Sequence, residues 1–277
     1  MRLHLIFLFL FCTIGCVAET PDSSLLRRIA NTLCSPEFQG RPPGSIFQEQ
    51  VRSFLRTEIR SLGLKPHQDS FSFFDSDSNR RLVGKNIFAF LNLGQRETIL
   101  IAAHYDHLGL DFRKSKDIRP KGFHPGANDN ASGVAVVLYL MQLLKQHPSP
   151  KFNYLFVLFD AHEIGLYGSS AFCSKTLKTK IKAVINLDMV GRSWNQTFMC
   201  YSNRTLQTEA PFTILSGDSS QLGQLDTRWF YERRIPCYSF SSGQYADYHS
   251  TNDTVDKLNY SGMYLLATWL KDFLQSL

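Results

Sequence analysis

The sequence predicts a single α/β domain in which a mostly parallel central sheet is covered by helices on both faces. First, a chain of 277 residues with 43% hydrophobic and 19% charged residues is large and apolar enough to bury a sizeable core. Second, several apolar runs are nearly continuous, which is typical of strands buried on both faces. Third, segments with helical spacing of apolar residues alternate with these runs. These observations favour a layered domain over a disordered chain or a small disulfide scaffold.

The first 18 residues are expected to be a signal peptide, and residues 19–277 the mature domain. A short basic start precedes an apolar stretch that is shorter than the ~20 residues of a membrane helix. Two processing sites remain open: ordinary cleavage before Glu19, or a lipobox ending at Cys16, which would then carry a lipid anchor. Both predict export, to a secreted, periplasmic or membrane-anchored location, without a membrane span.

Two helices are predicted before the sheet. Apolar residues from Ser23 to Leu33 recur at helical spacing, and Pro42-Pro43-Gly44 then breaks the chain. Ser45 to Gln48 matches a capping box, which would open a second helix that ends at Gly63. The polar segment from Asp69 to Arg81 is predicted to be a loop or an edge hairpin.

The layered core is predicted from four apolar runs and three further helices. The strand candidates begin at Asn86, Ile99, Tyr154 and Ala183. The helix candidates run from about Val134 to Gln146, from Tyr167 to Thr179 and from Leu258 to Leu277. This alternation of strands and helices favours a mostly parallel sheet.

The charge distribution and the cysteine spacing argue against nucleic-acid binding and against a structural zinc site. The 30 Lys and Arg residues exceed the 24 Asp and Glu residues, but they are scattered, so no nucleic-acid partner is predicted. The four cysteines of the mature chain allow three disulfide pairings, among which the sequence does not choose. Their spacing is unlike that of a structural zinc site. They are Cys34, Cys173, Cys200 and Cys237.

Five residues of the types that bind zinc follow predicted strands or lie in loops. Open α/β sheets place their ligands just past the carboxyl ends of strands. Two imidazoles and three carboxylates are enough to hold two zinc ions, with one carboxylate bridging them. Charged groups directly after buried strands also need partners, which a metal supplies. The candidates are His104, Asp129, Glu163, Asp188 and His249.

The order of these motifs resembles the dizinc aminopeptidase family, which includes secreted bacterial aminopeptidases and plasma glutamate carboxypeptidase. Transferrin-receptor-like proteins and glutaminyl cyclases are more distant members. The resemblance covers nearly the whole mature chain and rests on three motifs: His-Tyr-Asp at 104–106, Gly-Ala-Asn-Asp-Asn-Ala-Ser-Gly at 126–133 and Asn-Leu-Asp-Met-Val-Gly at 186–191. It implies a zinc-dependent exopeptidase that acts on peptides.

The resemblance also implies roles for individual residues. It divides the ligands between two zinc ions: His104 and Asp188 on one, Glu163 and His249 on the other, with Asp129 bridging. Asp106 matches a carboxylate that orients the imidazole two positions before it and tunes the site.

One position departs from the family pattern. Where the family has two adjacent glutamates, a general base and then a ligand, this chain has His162-Glu163. His162 is therefore the predicted base, because an imidazole exchanges protons near neutral pH. Asp160 is predicted to orient the imidazole of His162 if the strand continues to that point. A second departure is Thr227, which follows Asp226 where the family has a histidine, and no function is assigned to it.

Three functions remain open from the sequence. The first is an aminopeptidase that binds a free α-amino group and attacks the scissile carbonyl with a zinc-bound water. The second is a metal-binding pseudoenzyme, impaired by the change at His162. The third is a glutaminyl-cyclase-type acyltransferase, which is disfavoured because Tyr248 stands where cyclases have tryptophan. A cationic loop from Arg113 to Lys121 is expected to border the cleft, either to favour acidic peptides or simply as a solvated loop.

Overall fold

A central sheet with helices on both faces makes up the computed structural model, which describes residues 22–76, 79–148, 151–175, 179–206 and 208–277. The strands are β1 (Pro66–Asp75), β2 (Arg80–Leu91), β3 (Thr98–His104), β4 (Asn153–Phe159), β5 (Ile181–Leu187), β6 (Thr197–Ser202), β7 (Thr213–Gly217) and β8 (Cys237–Ser241). The helices are α1 (Ser24–Leu33), α2 (Phe47–Ser61), α3 (Gly133–Gln146), α4 (Tyr167–Lys175), α5 (Arg228–Tyr231) and α6 (Tyr260–Ser276). The predicted signal peptide and lipobox lie outside the described residues.

The eight strands form one mixed sheet in the order β1-β2-β4-β3-β5-β8-β6-β7. The four central strands, β4, β3, β5 and β8, are mutually parallel, and β2 and β6 flank them in antiparallel orientation. β1 and β2 form an antiparallel hairpin at one edge, which was one of the two alternatives predicted for that segment. The carboxyl ends of the central strands therefore meet along a single edge of the sheet.

The sheet is buried on both faces, as the apolar runs predicted. Along β3, Ile99 and Ile101 belong to the core beneath α1, α3 and α6, whereas Leu100 belongs to a second core on the opposite face. In that second core Phe172 of α4 and Phe230 of α5 cover the sheet. The predicted single α/β domain, with a mostly parallel sheet covered on both faces, is confirmed. Among the described residues no helix is long and apolar enough to cross a bilayer.

One local prediction was wrong. Ser45 and Gln48 do not form a capping box: the Ser45 hydroxyl has no hydrogen-bond partner among the described residues, and Gln48 donates its side-chain amide to Asp160 instead. The Gln48 side chain is thus engaged in a buried contact and not at the start of the helix. The helix predicted from Tyr167 is confirmed as far as Lys175, and residues 176–178 lie outside the described part of the chain.

Three strands were missed by the sequence analysis, and three of the cysteines form no disulfide with one another. β6, β7 and β8 were not predicted, and they extend the sheet beyond β5. Cys34, Cys200 and Cys237 are thiols, so no two of them form a disulfide.

Candidate metal centre

The five predicted ligands lie together at the carboxyl edge of the parallel strands. His104 is the last residue of β3, and Asp188 directly follows the adjacent parallel strand β5. Glu163 comes four residues after the end of β4, Asp129 lies in the loop before α3, and His249 lies in the loop after β8. Because neighbouring parallel strands end at one edge, the fold brings together residues that are far apart in the sequence.

Asp129 lies between two groups of side chains. Its Oδ1 is 3.3 Å from His104 Nε2, and its Oδ2 is 3.3 Å from His249 Nε2. On the first side, Asp188 Oδ1 is 3.5 Å from His104 Nε2. On the second side, Glu163 Oε2 is 3.3 Å from His249 Nε2. Each histidine therefore faces one oxygen of Asp129 and one further carboxylate.

The buried nitrogens of this site fit bound cations. The Nε2 atoms of His104 and His249 are buried and have no hydrogen-bond partner among the described residues. A buried polar atom without a partner costs about 1–3 kcal/mol, so such atoms usually mark a ligand site. A zinc ion between an imidazole nitrogen and carboxylate oxygens satisfies all of them at once. The residues present therefore fit two zinc ions.

The charges at the site also favour a cation beside each histidine. Burial by itself lowers the pKa of His104, but Asp129 and Asp188 hold that pKa well above its usual range. Burial likewise opposes the protonation of His249, yet Asp129 and Glu163 raise its pKa to about 10. The carboxylates therefore stabilise positive charge at the imidazole nitrogens, which is where the ligand set would hold zinc.

Asp106 holds the segment that follows β4 through hydrogen bonds to its backbone. Its Oδ1 accepts the backbone N–H of His162 at 3.0 Å, and its Oδ2 accepts that of Glu163 at 3.1 Å. The Nδ1 of His104 lies 3.2 Å from the carbonyl oxygen of Asp106 and 3.8 Å from its Oδ1. The expected contact to the imidazole is thus made by the backbone, while the carboxylate of Asp106 positions a ligand and the predicted base.

His162 lies beside the first group of ligands. Its ring stacks on that of His104, with centroids 3.8 Å apart and planes inclined by 7°. One potential ligand atom from each of His104, His162 and Asp188 lies within 4.8 Å of the others. The Nδ1 of His162 is 2.9 Å from Oδ2 of the buried Asp226. Burial and the neighbouring His104 oppose protonation of His162, but Asp226 raises its pKa to about 9.

The prediction that Asp160 orients His162 was wrong. β4 ends at Phe159, and the chain turns at Ala161, whose φ is 58°. The alternation of a strand therefore does not extend to position 162. Asp160 instead accepts hydrogen bonds from the Gln48 side chain at 2.7 Å and from the backbone N–H of Lys85 at 2.9 Å.

Two further residues hold the loop that carries Asp129. Asp253 is fully buried, and its carboxylate accepts the backbone N–H groups of Asn128 and Asp129 at 2.9–3.1 Å. The Tyr245 hydroxyl donates to Asp253 at 3.1 Å. Sequence reasoning did not identify Asp253, which follows His249 by four residues and whose role depends on a contact between distant segments.

Arg41 ties both ligand loops to the first helix. Its fully buried guanidinium donates to the carbonyl oxygens of Leu33 and Tyr105, and to those of Pro125 and Gly126, at 2.7–3.0 Å. These carbonyls belong to the end of α1, to the segment after His104 and to the loop before Asp129. The position of Arg41 in the N-terminal segment that resembles the family was the only signal for this role.

The cationic loop borders the site, as expected, and contacts its ligands. Lys114 donates from Nζ to the backbone carbonyl of Glu163 at 2.6 Å, and its own carbonyl lies 3.1 Å from His249 Nδ1. Asp117 accepts from the Ser250 hydroxyl at 2.6 Å and from the backbone N–H of Thr251 at 2.7 Å. The loop therefore supports the segment that carries His249.

Two cavities are lined by residues of the ligand set. One of about 410 Å³ lies beside Asp188 and is lined in part by Met189, Tyr201 and Tyr248. The other, of about 280 Å³, lies beside Glu163 and is lined in part by Leu110. An extended ligand at the metal centre would find space in these cavities.

A parallel α/β sheet with two histidine–carboxylate groups at its carboxyl edge is an arrangement suited to holding metal ions. The profile of peptidase family M28 matches residues 86–270, a range that includes all five candidate ligands. The chain belongs to this family, and the resemblance found in the sequence is confirmed. Zinc appears in the names of relatives such as a probable zinc metalloprotease of Pyrenophora tritici-repentis, and it matches the donor set described above.

The relatives include both aminopeptidases and cyclases. Aminopeptidase YwaD of Bacillus subtilis is 29% identical over 242 residues, which are 79% of this chain and 48% of YwaD, so the chain spans about half of that relative. A glutaminyl cyclase of Porphyromonas gingivalis superposes with a TM-score of 0.76 at 19% identity, covering 92% of this chain and 98% of the cyclase. BSAP, a zinc aminopeptidase from Bacillus subtilis, gives 0.73 at 15% identity, covering 93% and 95%. At these identities the structural matches establish the fold.

Proposed function

We propose that this protein is a zinc-dependent exopeptidase that removes N-terminal residues from peptides. The observation that carries the proposal is the position of Asp129, whose two carboxylate oxygens each lie 3.3 Å from a different histidine. This position supports a bridging role between two zinc ions, held by His104 with Asp188 and by Glu163 with His249. Zinc bound there would supply a Lewis acid that activates water and polarises the peptide carbonyl.

The protein's own residues supply the proton transfer. Asp226 engages Nδ1 of His162 and raises the pKa of the ring to about 9, and the positive charge of bound zinc would oppose that rise. The Nε2 of that ring would then accept a proton from the attacking water and return it to the leaving amine. The side chain of His162 is 16% exposed, so the ring keeps access to the cleft. The geometry thus favours His162 in the place of the family's base glutamate.

The cavities support a peptide as substrate. An extended peptide whose scissile carbonyl lies between the two ligand groups would direct side chains toward the cavity beside Asp188 and the cavity beside Glu163. At this border Lys114 donates from Nζ to the backbone carbonyl of Glu163, which fixes the position of its positive charge beside the site.

Two other functions are favoured by single observations. The replacement of the family's base glutamate by His162 favours a pseudoenzyme that binds metal without turnover. The fold shared with the glutaminyl cyclases favours an acyltransferase. Against the cyclase stands Tyr248, which lies next to the ligand His249 where the cyclases have tryptophan.

The test is hydrolysis of a panel of aminoacyl and dipeptidyl chromogenic amides by the chain from Glu19 onward. We expect release of the N-terminal residue with zinc, loss of activity after chelation, and recovery when zinc is returned. Asp129→Asn should be inactive, whereas Asp218→Asn, at an exposed carboxylate that is not part of the ligand set, should match the wild type. Folded, zinc-loaded protein that hydrolyses nothing would establish the pseudoenzyme, and cyclisation of an N-terminal glutaminyl peptide would establish the acyltransferase.

Export is a separate proposal, which rests on the sequence of residues 1–18. The short basic start and apolar stretch support a signal peptide, with cleavage before Glu19 or lipidation at Cys16. The mass of the mature protein from a secreting host decides between them. A mass that corresponds to the uncleaved chain would contradict both.

A further inference from the structure

A sixth side chain, outside the ligand set, contacts the centre. His107 lies three residues after His104 and is fully buried. Its Nδ1 is 2.7 Å from Glu163 Oε1. The other oxygen of that carboxylate, Oε2, lies 3.3 Å from His249 Nε2. The two oxygens of Glu163 therefore have different partners: one contacts His107, and the other faces the position that zinc would occupy.

Packing fixes the direction of the His107 ring. Its backbone N–H donates to the Arg41 carbonyl at 3.3 Å. Its ring lies so close to Gly126 that a Cβ atom there would be 2.5 Å from the ring carbon Cδ2. On another side the ring meets His249 nearly at right angles, with centroids 5.7 Å apart. These contacts pack the ring with Nδ1 directed at Glu163, while its buried Nε2 has no hydrogen-bond partner among the described residues.

The hydrogen bond between His107 and Glu163 can run in only one direction when the site holds zinc. A carboxylate that binds metal carries no proton, so Glu163 accepts and the Nδ1–H of His107 donates. A donor on Oε1 restricts the rotation of the carboxylate and leaves Oε2 for the metal. Residues that orient metal ligands in this way typically contribute about 10–100-fold to metal affinity.

We propose that His107 is a positioning residue for the zinc ion held by Glu163 and His249. It orients Glu163 so that Oε2 faces the metal, and it does not bind the metal itself. This inference rests on the two-zinc site of the proposed function, but it concerns zinc affinity and is independent of turnover.

Two substitutions of similar size separate the hydrogen bond from packing. In His107→Asn the amide nitrogen is attached to Cγ, as Nδ1 is in histidine, so a donor remains at nearly the same place. In His107→Leu a methyl group takes that place and the donor is lost. His67→Asn is the control, because His67 is an exposed residue that stacks on Phe88 away from the site.

The measurement is competition with a chromophoric chelator, which yields the two zinc dissociation constants, together with thermal unfolding of the metal-free proteins. We expect His107→Leu to weaken one zinc ion about 10–100-fold and the other by less than about threefold. His107→Asn should recover most of this loss, and His67→Asn should match the wild type.

Three results would overturn the proposal. They are unchanged affinities in His107→Leu, equal weakening of both ions, and an affinity of His107→Asn as low as that of His107→Leu when both metal-free variants unfold at the wild-type temperature. A protein that shows the expected pattern yet hydrolyses no peptide would contradict the proposed function alone.

Discussion

The replacement of Asp226 by asparagine tests whether His162 depends on the hydrogen bond at its Nδ1. The carboxylate of Asp226 lies 2.9 Å from this nitrogen and is 1% exposed. Asp226→Asn keeps the size of the side chain but removes its charge. If the amide nitrogen faces the ring, Nδ1 must accept, and the proton moves to Nε2, the atom that has to be free to accept a proton from water.

The size of the effect follows from this bond. Hydrogen bonds to charged groups contribute about 1.5–3 kcal/mol, and about 1.4 kcal/mol corresponds to a factor of ten in rate. Loss of orientation alone should therefore lower kcat about 10- to 100-fold. A reversed tautomer would also remove the contribution of the base, which is typically about 10²–10⁴-fold. We expect KM to change little, because Asp226 lines neither of the two cavities beside the ligands.

The assay measures kcat and KM for one aminoacyl amide, with zinc content and thermal unfolding recorded for each variant. Asp218→Asn is the matched control, since it changes an exposed carboxylate that accepts the backbone N–H of Ser220. A folded, zinc-loaded Asp226→Asn protein with the wild-type kcat would refute the role of the pair. A fall in kcat fully explained by lost zinc would refute it as well.

Three further predictions concern the support of the centre. Arg41→Met removes four hydrogen bonds to backbone carbonyls and should lower the free energy of unfolding by about 3 kcal/mol or more. The measurement is a denaturant titration with Arg96→Met, at an exposed arginine, as the control. A decrease no larger than that of the control would contradict the prediction. Asp117→Ala removes the hydrogen bonds to the loop that carries His249 and should weaken zinc binding several-fold in chelator competition. An unchanged zinc affinity would show that Asp117 does not support this loop. Zinc at about 100 times its dissociation constant should add about 2.7 kcal/mol of stability per site, and identical unfolding temperatures with and without zinc would exclude such a site.

The hydropathy pattern predicted the buried central strands of the sheet but not the strands beyond β5, which are β8, β6 and β7. β3, β4 and β5 are mostly apolar, because both of their faces are covered by helices. β8 has only five residues, of which Ser239 and Ser241 are polar although buried. Ser239 pairs with the side chain of Asn186 on β5, so a hydrogen bond replaces the apolar contact that the sequence pattern would reveal. The edge strand β7 is partly exposed and gives an equally weak signal.

The site was predictable where its chemistry depends on residue type and strand position. His104 and Asp188 could be identified because imidazoles and carboxylates at the ends of apolar runs need partners. Asp226, which contacts His162, and Asp253, which holds the loop of Asp129, could not be identified, because they act through contacts between distant segments. The error at Asp160 has the same origin, since it assumed that a strand continued past Phe159 when the chain turns there.

The stacking of His162 on His104 bears on what the histidine does in place of glutamate. The two rings are nearly parallel, inclined by 7° with centroids 3.8 Å apart, so they lie side by side. His104 would hold a zinc ion together with Asp129 and Asp188, and His162 would lie next to that group. Under the proposed function, the positive charge of bound zinc would oppose the protonation of His162 that Asp226 favours, so its Nε2 would exchange a proton with water. Asp226 would then supply the negative charge that the family's glutamate carries itself.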